Sequence, residues 1–173
     1  MPSLALLLSL SVLGIVSRLL PHPANFTPLG ALALFSGYYF KNRGYALLPL
    51  VTMAVSDLLI SGYYGPVMFY VYAGFALTFF IGRWARSKQR ALPAVVSASL
   101  LSSVLFFLIT NLAVWLHGHL YSPDLRGLIE CYIAALPFFR NSLLGDLSYT
   151  AVFFGALAFV RLRTPNLARR SAG

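Results

Sequence analysis

The sequence predicts an all-α integral membrane bundle of six transmembrane helices, with a short second span and a re-entrant or lid half-helix before the sixth. Three observations carry this. First, 59% of the 173 residues are hydrophobic and only 10% are charged, whereas about a quarter of an average soluble domain is charged. Second, apolar runs recur along the chain at lengths close to the roughly 20 residues that cross a hydrocarbon core of about 30 Å. Third, the basic residues collect after every second run. One transmembrane domain is expected over residues 1–160, followed by a basic tail over 161–173, with no soluble domain, linker or internal repeat.

The first span, 2–20, is apolar up to Arg18. It has the length of a secretory leader. However, no Lys or Arg precedes the apolar run and a Pro-His-Pro follows it in place of a small-residue cleavage site, so it is read as a retained span.

Residues 21–30, Pro-His-Pro-Ala-Asn-Phe-Thr-Pro-Leu-Gly, come next and organise the rest. Each proline removes a backbone donor and pushes the preceding residue out of the α region, so a continuous helix is forbidden here. Irregular backbone at membrane depth is tolerated only where protein buries it or a water-filled cavity receives it. The segment is therefore expected to wall a binding cavity, to which His22, Asn25 and Thr27 bring hydrogen-bonding groups. The alternative for Asn25 and Thr27 is an ordinary cap on the second span.

That span, 28–40, has 13 residues, roughly 20 Å of helix, too short to cross alone. The remaining spans are 45–62, 66–82, 92–116 and 141–160. Between the last two lies an apolar piece, 128–139, that is too short to span and contains Pro137. It reads as an external lid or a re-entrant half-helix.

Lys41 and Arg43 follow the second span, Arg83, Arg86, Lys88 and Arg90 the fourth, and Arg161, Arg163, Arg169 and Arg170 the sixth, ten of the 13 basic residues in all. By the positive-inside rule these loops are cytoplasmic, which places a multi-pass protein in the cell inner membrane with both termini inside. The net charge of +9 is thus read as membrane orientation, and no nucleic-acid partner is expected. Cys131 is the only cysteine, so no internal disulfide forms, and a free cysteine behaves as a small buried hydrophobe. His117 and His119 have no third ligand at matching spacing and are read as interfacial polar residues; neither a metal nor a cofactor is expected.

Ionisable side chains inside a bilayer cost a few kcal/mol each unless paired or wetted. Arg18, Asp57 and Asp146 come from three spans at similar depth on the outer side. Two roles are open: Arg18 pairs with one of the carboxylates and pins the bundle, or the three fix polar groups of a ligand. Asn111 and Trp115, four apart, share a helix face, and Asp146 and Tyr149 are three apart. Tyr63, Tyr64, Tyr70 and Tyr72 either add to an aromatic cavity or form an interfacial belt. The candidate lining is Arg18, Asn25, Asp57, Asn111, Trp115, Asp146 and Tyr149. Small residues spaced for helix contact, Ala5 with Ser9 and Ala33 with Gly37, together with Ser97, Ser99, Ser102 and Ser103, permit a docking face for another membrane subunit.

Residues 21–37, the Ser-Asp at 56–57, Thr-Asn-Leu-Ala-Val-Trp at 110–115 and Cys-Tyr-Ile-Ala-Ala-Leu-Pro-Phe-Phe-Arg-Asn-Ser-Leu-Leu-Gly-Asp at 131–146 resemble a family of uncharacterised six-span bacterial proteins. That family is in turn similar in architecture to the substrate-binding S components of energy-coupling-factor vitamin transporters. The resemblance implies a small molecule bound from the outer side and a transmembrane coupling subunit with ATPases that docks on spans one to three. The Ala-x-x-x-Ala docking motif of many S components has its nearest counterpart in Ala5 and Ser9.

The expected function is binding of a small, vitamin-like molecule for uptake, with no enzymatic activity. Two other classes stay open: a membrane-embedded enzyme using Asp57 and Asp146 as acid and base on a lipid or quinone, and an accessory subunit in which the charges are only structural pairs. No nucleophile elbow or phosphate-binding glycine loop supports the former.

Overall fold

A helix that is apolar all round is stable only when it is surrounded, and helix α2 (Leu29–Tyr39) is of that kind. The computed structural model describes residues 2–40, 42–60, 65–87 and 92–163, and α2 stands at the centre of them. Every residue from Ala31 to Tyr38 is buried. Around it stand α1 (Pro2–Leu19), α3 (Leu47–Ile60, entered through a 3₁₀ turn at Arg43–Ala46), α4 (Val67–Ser87), α5 (Leu92–His117) and α6 (Leu125–Arg163). Helix α2 touches all five of them, α4 most extensively, while α1 packs on α3 and α5 lies between α4 and α6. Among the described residues the protein has six α-helices and no strand.

The α2–α4 contact is made backbone to backbone. A side chain at Gly37 would collide with the Phe79 carbonyl of α4, and one at Gly82 would collide with the Leu34 carbonyl of α2. Small residues at a crossing let two membrane helices approach closely. The Ala33–Gly37 face expected to receive another subunit is thus filled inside the molecule, and Ser99, Ser102 and Ser103 are buried as well, while Ser97 is exposed.

Helices α4, α5 and α6 are long and apolar enough to cross a membrane; the apolar stretch Leu8–Leu19 of α1, together with α2 and α3, forms shorter apolar helices. The chain is therefore membrane-associated in character. Tyr63, Tyr64, Lys41, Lys88, Arg90, the tail from 164 onward and the Ala5 side chain lie outside the described residues.

Helix α6 departs from expectation. The expected half-helix at 128–139 and the expected span at 141–160 are one helix of 39 residues with Pro137 inside it, about 58 Å long at 1.5 Å per residue. Proline removes one hydrogen bond but does not end a membrane helix whose two halves are held by the same neighbour. Here α5 is that neighbour. On one side of Pro137, the Tyr132 hydroxyl donates to the Leu108 carbonyl at 2.7 Å; on the other, Phe139 stacks on Phe107 with centroids 4.6 Å apart.

Candidate functional site

Helix α2 has only 11 residues, roughly 16 Å, and beyond its N-terminal end the helices around it enclose a space that it does not fill. A cavity of about 520 Å³ occupies that space, and only Leu29 and Gly30, in the first turn of α2, reach its wall. The floor is thus the N-terminal end of α2. The rim includes the exposed residues His22, Asn25 and Ile60.

The proline-rich segment forms part of that rim. Phe26 N–H donates to the Pro23 carbonyl at 3.0 Å, closing a turn whose third residue, Asn25, has φ 64°. Asparagine is among the few non-glycine residues that enter this left-handed region readily. Asn141 of α6 donates to the Ala24 carbonyl at 3.1 Å and ties the turn to the bundle. Pro28, at the N-cap position of α2, makes no side-chain cap bond, and Asn25 and Thr27 both line the cavity. Of the two roles open for them, the wall role matches this geometry.

The three ionisable residues of the bundle, Arg18, Asp57 and Asp146, separate into a pair and a single group. Arg18 Nη1 lies 2.7 Å from Asp57 Oδ1, and Tyr72 donates to Asp57 Oδ2 at 3.1 Å. Arg18 also donates to the Ser56 hydroxyl and to the Met53 carbonyl, the latter at 3.3 Å. One side chain therefore ties α1 to α3 and, through Asp57, to α4. Asp146, on α6, lies at the floor. Its carboxylate packs against Gly30, where a side chain on α2 would collide with it, and Ser103 of α5 donates to Oδ2 at 2.7 Å.

Four of the seven expected lining residues, Arg18, Asn25, Asn111 and Asp146, line this cavity. Asn111 donates back to the Phe107 carbonyl at 2.8 Å. The other three sit elsewhere. Asp57 is behind Arg18. Trp115 donates from Nε1 to the Ser122 carbonyl at 2.9 Å and clamps the α5–α6 connection. Tyr149 packs in tilted ring contacts between Phe26 and Phe153, with centroids 5.7 and 6.4 Å away, and so backs the proline-rich segment from the apolar core.

The walls are aliphatic and aromatic, among them Met53, Val71, Phe75, Phe106 and Phe107. Ser102 adds a buried hydroxyl that has no hydrogen-bond partner among the described residues. Ser102 and Ser103 were legible in the sequence only as small residues for helix contact; their position more than two turns before Asn111 on α5 does not reveal which of them faces a cavity. Cys131 is buried, its thiol 3.5 Å from the Asn111 carbonyl.

Residues 1–167 match a family described as a family of unknown function (DUF6580). The chain belongs to that family. No curated protein and no solved structure matches the chain. The match covers all the elements that build the cavity, from Arg18 to Asp146.

Proposed function

We propose that the protein binds a small organic molecule in this cavity, within the membrane and from the outer side, as the recognition step of its uptake. The observation that carries the reading is the cavity itself. Its volume of about 520 Å³ lies in the range of small-molecule sites, which are mostly apolar with a few placed polar groups. The composition of the wall follows that pattern, and the orphaned Ser102 hydroxyl on α5, a residue of that wall, is a buried polar group of the sort that a ligand atom satisfies.

The outer-side opening rests on charge. The rim is at the Arg18 end of α1 and the Leu29 end of α2, whereas Lys41 and Arg43 follow the far end of α2 and Arg83 and Arg86 lie in the last turns of α4. The positive-inside rule assigns those far ends to the cytoplasm. Uptake, as distinct from binding, rests on the resemblance to S components; a coupling subunit with ATPases would then supply the energy.

The test is mass spectrometry of small molecules that co-purify with the protein in detergent, compared with a Val71→Trp variant whose larger side chain fills the cavity. A compound retained by the wild type and absent from the variant supports the reading. The same compounds in both samples, or none in either, would overturn it.

A further inference from the structure

We infer that the ligand is an amphipathic cation: an apolar or aromatic body carrying a protonated amine, or another cationic nitrogen, seated against Asp146. This rests on the cavity reading above and deepens it. Among the described residues Asp146 is the only carboxylate on the cavity wall, and no Lys, Arg or His of those residues is within ion-pair distance of it. The one guanidinium on the wall, Arg18, is neutralised by Asp57 at 2.7 Å.

What surrounds Asp146 compensates it only in part. Ser103 gives one hydrogen bond to Oδ2, and the first turn of α2 gives the partial charge of a helix N-terminus, roughly half an elementary charge. A carboxylate at membrane depth is stabilised by a full counter-charge, and the cavity is the side from which one can arrive. The neighbouring groups suit a cation. Ser102 offers its unpartnered oxygen as an acceptor for a second N–H. Phe75, Phe106 and Phe107 line the cavity and give its wall aromatic surface for the body of the molecule. An anionic ligand would meet Asp146 with like charge at the floor.

The experiment uses three probes of one length: 4-phenylbutylamine, 4-phenylbutanol and 4-phenylbutyrate. Binding to the full chain in detergent is measured by equilibrium dialysis against protein-free micelles. The amine is expected to bind at least tenfold more tightly than the alcohol and the acid, with Val71→Trp abolishing its binding. Asp146→Asn is expected to bring the amine to the level of the alcohol. The wild-type ratio decides the charge class even where Asp146→Asn does not fold. Alcohol or acid binding as tightly as the amine, still blocked by Val71→Trp, overturns the cation assignment and leaves the cavity reading standing. A folded Asp146→Asn that keeps the amine preference does the same. Binding of none of the three, or binding unaffected by Val71→Trp, overturns both.

Discussion

Asp57 and Asp146 are both carboxylates inside an apolar bundle, and the protein treats them differently. Asp57 has a guanidinium at 2.7 Å and a tyrosine hydroxyl at 3.1 Å, and these partners come from two other helices. Asp146 has one serine hydroxyl at 2.7 Å and the bare first turn of a helix. The first arrangement closes on itself. The second leaves a charge facing a cavity. Burial in an apolar bundle does not by itself distinguish a carboxylate paired within the protein from one that is not; the partners do.

The contrast predicts opposite outcomes for the two sites, and Arg18→Ala should give the largest effect on stability. Removing one partner of a buried pair leaves the other uncompensated and costs about 3–5 kcal/mol. The side chains here are 15% and 11% exposed, so most of that range applies. The Met53 and Ser56 contacts of Arg18 go as well. Replacing both partners, as Arg18→Met with Asp57→Leu, should recover stability to within about 1 kcal/mol of wild type, since an apolar substitute for a buried pair is often neutral. Asp146→Asn should change stability by less than about 1 kcal/mol, because the amide oxygen still accepts from Ser103 and no charge is stranded. Thermal unfolding in detergent measures all three. A small loss for Arg18→Ala, or a large one for Asp146→Asn, would erase the distinction.

Ser102→Ala sharpens the comparison at a smaller scale. The hydroxyl is buried without a partner among the described residues, so its removal should leave stability unchanged or raise it by about 1 kcal/mol. Affinity for a bound amine should fall by a factor of several, about 1 kcal/mol. Loss of stability in the ligand-free variant would show that Ser102 serves the fold.

The helices were largely legible in the sequence, because apolar run length and proline placement are local properties. Expected spans 2–20, 28–40 and 92–116 correspond to Pro2–Leu19, Leu29–Tyr39 and Leu92–His117. The error at Pro137 came from giving a local breaker more weight than the packing of both halves of α6 on α5, which no local pattern contains. The site was half legible. Ionisable residues stand out in an apolar chain, so Arg18 and Asp146 are visible, but which carboxylate takes the arginine depends on which helices touch. Trp115 and Asn111 share a face four residues apart, yet one reaches the α5–α6 connection and the other the cavity. Ser102 and Ser103 could be found only by knowing that α2 stops short beneath them.

A third carboxylate supplies the exposed control and the smallest expected effect. Asp124 stands at the start of α6, where Oδ1 accepts from the Gly127 N–H at 2.7 Å and from the Ser122 hydroxyl at 2.8 Å. The backbone bond from Gly127 first, and then the Ser122 bond, hold its carboxyl below the usual value of 3.8. A lowered folded value means that the ionised cap favours the folded state above the unfolded value, and that this contribution is lost as pH falls through the folded one. The thermal midpoint of wild type minus that of Asp124→Ala should therefore be flat at neutral pH and shrink only below about pH 4, the ordinary carboxyl range. The cap is open to solvent, so its contribution is screened and salt should reduce it. A pH-independent difference between wild type and Asp124→Ala would mean that the residue acts through its shape alone, and that charge at the end of α6 plays no part in starting the helix.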